Sequence, residues 1–182
     1  MGILIVAAIV LIAVIFVVAN YNGLVKIKNR LEEAFSTMDV YLKKRYDLIP
    51  NLVQTVKGYA THEKETLTQV IEARNQAVNS STPAERLENE KTFAGALSRL
   101  FALAESYPDL KADSQFLNLQ GELSKIENDI AQSRKFYNAV AKQMNDKVMM
   151  FPSNIIAGMF HFERAPYYEI DESERENVKV EF

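Results

Sequence analysis

The sequence contains no cysteine, no tryptophan and two histidines, and glycine and proline are scarce, with 6 and 5 among 182 residues. Without cysteine the chain has no disulfide framework, no thiolate ligand for a metal and no cysteine nucleophile. Because glycine and proline punctuate turns, their scarcity predicts a mostly helical protein. The net charge of -3 does not favour binding to nucleic acid, so we expect no nucleic-acid partner.

The short motifs of familiar enzymes are also missing. His62 and Glu63 begin an H-E pair, but no second histidine follows at the spacing of a zinc-protease helix. The sequence has no P-loop, no dinucleotide-binding glycine motif, no nucleophile elbow and no inward Glu-x-x-His pair of a di-iron bundle. We therefore expect a non-catalytic protein without a cofactor or a bound metal.

One long apolar run stands near the N-terminus. Residues 3–19 read ILIVAAIVLIAVIFVVA, and as a helix they span about 26 Å, close to the ~30 Å hydrocarbon core of a bilayer. Tyr21 follows where an aromatic side chain suits the membrane interface. A secretory signal peptide is the alternative, but the basic segment and the small-residue cleavage site that it needs are missing. Residues 1–22 are predicted to form a transmembrane anchor.

The charges beside this run predict an orientation. Lys26, Lys28 and Arg30 follow it, and no charged side chain precedes it. By the positive-inside rule, the N-terminus lies outside and the remaining domain lies in the cytoplasm.

Apolar residues beyond the run recur at alternating spacings of three and four, which indicates helices with one buried face. The first series predicts a nearly continuous helix over residues 3–48. Pro50 ends that helix, because a proline disfavours helical geometry in the residue before it. A second helix follows from about Leu52 to Ala77 and contains Gly58, which costs about 1 kcal/mol relative to alanine unless a neighbour packs closely there.

Two further helices have clear boundaries. Thr82, Pro83 and Glu85 form an N-cap, a first-turn proline and a capping-box acid, which begin the third helix. Asp113 or Ser114 caps the fourth helix, which Phe151 and Pro152 stop. The short connections predict antiparallel neighbours. The predicted fold is all-α: an N-terminal transmembrane helix continuous with an antiparallel up-down four-helix bundle over residues 23–150.

In this topology the fourth helix returns towards the membrane and brings an apolar segment, residues 151–168, near the bilayer. One interpretation is that Ile155, Ile156, Met159 and Phe160 cap the bundle core. The other is contact with lipid, aided by basic residues at the same level. The candidate membrane-contact residues are Lys26, Lys28, Arg30, Phe151, Ile155, Ile156, Phe160 and Phe162.

The opposite end of the predicted bundle holds the first hairpin turn. Arg45, Asp47, Pro50 and Asn51 are candidates for a partner-binding or turn motif there. The three-four spacing also places Arg45, Glu63 and Arg74 on apolar seams, where a charge is costly unless it is paired. Three interpretations are open. The charges form structural ion pairs, they line a functional pocket, or the helices rotate slightly and the charges are exposed. Glu63 and Arg74 are the candidate buried polar residues.

The C-terminal residues 169–182 form an acidic tail, and Tyr167 and Tyr168 are candidates to anchor it. A solvated, weakly ordered tail is one interpretation. The alternation of Val178, Val180 and Phe182 favours another, in which the terminus binds a partner as an added strand or a C-terminal peptide.

Several segments together resemble the LemA family, over a range from the apolar run to about Tyr168. They are Tyr21-Asn22-Gly23-Leu24-Val25, Arg45 to Val53, Val56 to Ala60 with His62-Glu63, Glu72-Ala73-Arg74, and Phe151 to Asn154 with Ala157. The resemblance implies a single-pass bacterial membrane protein with a helical bundle. It implies no catalytic residue and no cofactor.

These observations favour a scaffold or adaptor at the bacterial cytoplasmic membrane, acting by self-association or by holding a membrane-protein partner. A membrane-shaping or lipid-sensing protein is the second hypothesis, and an enzyme with an unrecognised site around Glu63 and Arg74 is the third. The expected partners are the lipid bilayer and further copies of the chain.

Overall fold

The computed structural model describes residues 1–168, and these residues form helices and connecting segments without a β-strand. The helices are α1 (Gly2–Tyr59), α2 (Lys64–Val78), α3 (Pro83–Ala104), α4 (Pro108–Lys111), α5 (Ser114–Met149) and α6 (Ser153–Met159). The predicted all-α fold with an apolar N-terminal helix is confirmed. The acidic tail, residues 169–182, lies outside the described residues.

The prediction that Pro50 ends the first helix is wrong, because α1 continues through Pro50 to Tyr59. A proline inside a helix cannot donate to the carbonyl four residues earlier, which here belongs to Tyr46. That carbonyl instead accepts a hydrogen bond from Arg74 Nε of α2, at 3.2 Å. The side chain of a neighbouring helix therefore replaces the missing backbone donor and makes the proline tolerable.

The predicted second helix is divided accordingly. Its first part, from Leu52, belongs to α1, and its second part is α2. The break lies at residues 60–63, where the Glu63 N–H donates to the Ala60 carbonyl. A Cβ at Gly58 would meet nothing within 4 Å, so no close packing explains the glycine in this part of α1.

The helix starts agree with the sequence signals. The Thr82 hydroxyl accepts from the Glu85 N–H at 3.1 Å, and the Glu85 carboxylate accepts from the Ser81 N–H at 2.8 Å. The Asp113 carboxylate accepts from the Phe116 N–H at 2.8 Å and so caps α5. The sequence did not predict α4 and α6 as helices.

The chain divides into two compact units. The first unit comprises Met1–Thr37 and Arg134–Tyr167, and the second comprises Met38–Ser133 with Tyr168. In the first unit, Leu24 of α1, Met144 of α5 and Ile156 and Ala157 of α6 form a buried apolar cluster. Five partly buried residues pack against this cluster: Val17, Ile27, Leu31, Val148 and Phe162.

The second unit contains four helical segments whose apolar faces are buried, together with α4. Its buried side chains include Leu42, Ile49, Val56, Val70, Phe93, Leu100, Leu110, Phe116 and Ile130. Burial of such side chains supplies most of the stability of a helical protein. The up-down order of the four segments stays a prediction.

Candidate functional site

A mostly buried group of charged and aromatic side chains lies in the second unit. We call it the Arg45 cluster, and it consists of Arg45, Tyr46, Glu90, Phe93, Glu127 and Tyr168. Both Arg45 and Glu90 are only 1% exposed. The two side chains form a buried ion pair between α1 and α3.

Arg45 has a second carboxylate partner and an aromatic neighbour. Its Nη1 lies 2.9 Å from Glu127 Oε1 of α5, and Glu127 is 39% exposed. The guanidinium also lies over the Phe93 ring, 4.9 Å from its centroid. Burial acts to lower the pKa of Arg45, but the negative charges of Glu90 and Glu127 outweigh burial and raise that pKa.

The Glu90 carboxylate also accepts hydrogen bonds from two tyrosines. The Tyr46 hydroxyl donates to Oε1, and the Tyr168 hydroxyl donates to Oε2 at 3.2 Å. Burial, followed by the charge of Glu90, raises the pKa of Tyr46 far above its ordinary value, so this phenol remains a hydrogen-bond donor. The Arg45 cluster therefore joins α1, α3 and α5 with Tyr168, the last of the described residues.

The placement of Arg45 corrects one prediction and agrees with another. It is not part of an exposed turn, because residues 45–51 lie inside α1. Its position on an apolar seam as part of an ion pair agrees with the three-four spacing. Glu90 was missed, although it stands three residues after Leu87 and four before Ala94, on the same apolar stripe.

The other candidates from the same motif are exposed. The side chains of Asp47, Pro50 and Asn51 face outwards on α1. Asn51 lines an open groove of about 420 Å³ with Thr55, Tyr59 and Asp113. The Tyr59 hydroxyl donates to the Asp113 carboxylate at 3.0 Å within that groove.

Glu63 and Arg74 are partly buried, and each has a partner of its own. The Tyr107 hydroxyl donates to Glu63 Oε1 at 3.3 Å. Arg74 donates through Nε to the Tyr46 carbonyl and through Nη1 to Asn75 Oδ1, at 3.0 Å. Glu63 is therefore bound to Tyr107 and Arg74 to the Tyr46 carbonyl, and no hydrogen bond between Glu63 and Arg74 is among those described.

The basic candidates for membrane contact are exposed on α1. Lys26, Lys28 and Arg30 all face outwards, and the Arg30 guanidinium lies 5.7 Å from the centroid of the Phe136 ring. Long basic side chains can cover apolar surface with their stems while keeping the charge in water or at headgroups.

The apolar candidates divide into exposed and buried residues. Phe151 is 80% exposed, Ile155 54% and Phe160 45%. Ile156 is buried in the cluster with Leu24 and Met144, so its prediction as a membrane-contact residue is wrong. Phe162 is only partly buried, and its ring packs against Tyr21, with centroids 5.9 Å apart.

A segment without regular secondary structure, residues 162–168, follows α6 and is bound to α5. Asn145 Nδ2 donates to the Ala165 carbonyl at 3.0 Å, and the Ala165 N–H donates to Asn145 Oδ1 at 2.7 Å. The Tyr137 hydroxyl donates to the Pro166 carbonyl at 3.0 Å. Of the two tyrosines at its end, Tyr168 is buried, whereas Tyr167 is 40% exposed.

Among residues 1–168, no three histidine, aspartate or glutamate side chains lie close enough together to hold a metal ion. Within the same range, α1 is the one helix long and apolar enough to cross a membrane, and its most apolar window has no buried residue.

Known proteins resemble this chain over most of its length. The family model of the LemA family matches residues 34–182. Protein LemA of Metamycoplasma hominis is 28% identical over 165 residues, covering 88% of this chain and 74% of that protein. Magnetosome protein MamQ 2 of Paramagnetospirillum magneticum is 25% identical over 195 residues, covering 89% and 72%. Magnetosome protein MamQ of Magnetospirillum gryphiswaldense is 23% identical over 175 residues, covering 82% and 64%.

Proposed function

This chain belongs to the LemA family, and we propose that it is a non-catalytic scaffold of the bacterial cytoplasmic membrane. Its N-terminal helix anchors it as a single-pass protein, and its helical domain binds further copies of the chain or a membrane-protein partner. The observation that carries the proposal is α1. The exposed apolar run and the buried face that begins at Leu24 belong to one helix, Gly2–Tyr59, without an intervening loop.

The arrangement of the buried charges supports a non-catalytic role. Arg45 and Glu90 are buried against one another, and the same carboxylate accepts hydrogen bonds from Tyr46 and Tyr168. A reactive group must be reachable by its substrate, and this ion pair is 1% exposed on both sides. The cluster holds helices together.

The exposed part of the Arg45-to-Val53 segment is the proposed partner surface. Three of its side chains are exposed on α1: Asp47, Pro50 and Asn51. Asn51 also lines the groove that contains Tyr59 and Asp113. Two relatives are named for a cellular structure, the magnetosome. Their names favour a role for this chain as a component of an assembly over a role as a free enzyme.

A photo-crosslinking residue in place of Asn51 tests this surface in intact cells. We expect covalent adducts to a second copy of the chain or to a membrane protein, because the position is exposed at the groove. The matched control carries the same residue in place of Asn118, which is exposed on α5, and should give no such adduct. Equal adducts from both positions, or none from Asn51 together with a monomeric particle after detergent extraction, would contradict the proposal.

The proposed orientation places the helical domain in the cytoplasm. Lys26, Lys28 and Arg30 are exposed within the first turns after the apolar run, where positive charges bear most on topology. A fluorescent protein fused after Phe182 should therefore fluoresce, and a phosphatase active only outside the cytoplasm should be inactive at the same position.

Charge reversal tests the cause of this orientation. Replacing Lys26, Lys28 and Arg30 by glutamate should raise the phosphatase signal, because the charges that retain this side in the cytoplasm are lost. Reversing Lys43 and Lys44 instead should leave the signal unchanged, since they lie beyond the 15–20 residues that influence topology. Phosphatase activity in the unaltered chain would exclude the cytoplasmic orientation.

A lipid-sensing or membrane-shaping role is the second candidate function. The observation that favours it is the group of exposed apolar side chains around α6, among them Phe151, Ile155 and Met159.

A further inference from the structure

We propose that α6 and the chain on either side of it rest in the lipid interface, as a second membrane contact beside the transmembrane anchor. The surface consists of exposed apolar residues, and we call it the α6 surface: Met149, Met150, Phe151, Ile155, Met159 and Phe160. Its partner is the boundary between headgroups and acyl chains. This inference rests on the proposed anchor, because the anchor fixes where the bilayer lies along α1.

The depth of α6 follows from what it packs against. Ile156 and Ala157 of α6 form a cluster with Leu24, and Val17 packs against that same cluster. Val17 belongs to the apolar run of residues 3–19. A contact that involves Val17 therefore reaches the last helical turn of the segment that fills the hydrocarbon core.

The distances along α1 agree with an interfacial position. The headgroup layer on each side of a bilayer is about 5–7.5 Å thick, given a total of ~40–45 Å around a ~30 Å core. Tyr21 lies about 3 Å beyond Ala19 along the helix axis, and Leu24 lies about 7.5 Å beyond it, at the outer limit of that layer. Phe160 and Phe162 pack against Tyr21, with ring centroids 4.7 and 5.9 Å apart, and aromatic rings favour this layer.

The exposure of α6 is one-sided in the way that lipid contact requires. Ile156 and Ala157 face the protein, whereas Ile155 is 54% exposed and Met159, one turn later, is 63% exposed. The preceding turn adds Met150 at 63% and Phe151 at 80%. Large apolar side chains gathered in this way on a surface mark an interaction site.

Several backbone polar groups at the two ends of α6 form hydrogen bonds within the protein, which suits a water-poor environment. The Ser153 hydroxyl lies 2.7 Å from the Lys147 carbonyl and 2.9 Å from the Met150 carbonyl, at the break between α5 and α6. At the other end, His161 adopts a left-handed φ of 56°, and the Phe162 N–H donates to the Ala157 carbonyl at 2.9 Å. This is a Schellman closure of the helix.

Polar groups for lipid headgroups lie beside the apolar ones. Asn20 and Lys147 line an open groove of about 470 Å³ together with Met150 and Phe151. Lys26, Lys28 and Arg30 are exposed about two to three turns beyond Ala19, and their long side chains can reach back towards the headgroups. Basic side chains at this height attract anionic headgroups, while the apolar ones enter the acyl boundary.

Because the chain has no cysteine, single-cysteine variants can carry one spin label each. We would label Phe151→Cys, Ile155→Cys and Met159→Cys in the full chain, reconstituted in nanodiscs of phosphatidylethanolamine and phosphatidylglycerol. Collision rates with oxygen, which enters lipid, and with a nickel chelate, which stays in water, report depth. Val10→Cys reports the anchor, and Ser36→Cys, exposed about 25 Å beyond Ala19 along α1, reports water.

At positions 151, 155 and 159, we expect the ratio of the oxygen to the nickel collision rate to be several-fold higher than at position 36. These three ratios should approach the ratio measured at position 10. Ratios at all three positions equal to that at position 36, with position 10 in lipid, overturn the second contact and leave the anchor intact. A water-like ratio at position 10 overturns the anchor and this inference together. Circular dichroism that matches the unlabelled protein confirms that each variant is folded.

Discussion

Replacing Arg45 by methionine is expected to lower the free energy of unfolding by about 3–5 kcal/mol, the usual cost of leaving one partner of a buried ion pair uncompensated. The substitution keeps most of the apolar stem and removes the guanidinium. Glu90 then remains buried without the cation that offsets its desolvation. Urea unfolding in detergent micelles, followed by far-UV circular dichroism, measures the change.

The matched control is Lys43→Met, which makes the same kind of substitution two residues away on an exposed face of α1. Its effect should stay within about 0.5 kcal/mol. The double variant R45M/E90Q should recover part of the loss, because the amide carries no charge, its oxygen accepts from one of the two tyrosine hydroxyls and its NH2 group can donate to the other. Equal stabilities of R45M and K43M would show that the ion pair does not hold the helices together.

Replacing Arg74 by methionine is expected to cost about 1–3 kcal/mol, the range for an unsatisfied buried polar group. The reason is local to Pro50: the Tyr46 carbonyl has no backbone donor from position 50 and loses its substitute donor, Arg74 Nε. The same unfolding experiment measures the loss.

A double-mutant cycle with Pro50→Ala isolates this role of Arg74. Alanine restores an N–H to position 50, which can donate to the Tyr46 carbonyl, so R74M should cost at least about 0.5 kcal/mol less in the P50A background. Arg99→Met serves as a control, since Arg99 is exposed on α3 and binds only Gln69 at 3.3 Å among the hydrogen bonds described. If R74M lowers the free energy of unfolding by the same amount whether residue 50 is proline or alanine, then Arg74 does not take the place of the missing backbone donor.

The features that the sequence predicted are those set by neighbours in the chain. The start of α3 depends on Thr82 and Glu85, three residues apart, and the cap of α5 depends on Asp113 and the N–H of Phe116. The extent of α5 follows from an apolar stripe that continues over 36 residues without a proline. Local hydrogen bonds and periodicity suffice for such elements.

Pro50 shows why local rules fail where the compensation is distant. The donor that rescues its missing hydrogen bond stands 28 positions along the chain. Nothing within the first helix indicates that donor, so the proline rule predicts an end that tertiary structure overrides. The three-four spacing places Arg74 on a seam, but one of its partners is the Tyr46 backbone carbonyl rather than a carboxylate.

The apolar segment around α6 was ambiguous for a related reason. Ile155 and Ile156 are chemically the same and adjacent, and only the packing of α6 against Leu24 and Met144 decides that Ile156 is the buried one. In a helix of seven residues, periodicity is too short to identify the buried face. The sequence therefore predicted the segment, and the structure separates its core residues from its surface.

The partners of Arg45 are spread along the chain, and this constrains biosynthesis. Glu127 stands 82 positions after Arg45, and Tyr168 stands 78 positions after Glu90. At about 5–20 residues per second, a ribosome needs roughly 4–16 s to pass from Arg45 to Glu127. If residues 3–19 anchor the chain as proposed, they are synthesised long before Glu127 and Tyr168, so the apolar run is available for insertion into lipid before the Arg45 cluster can close, and the domain is completed on a chain that is already tethered.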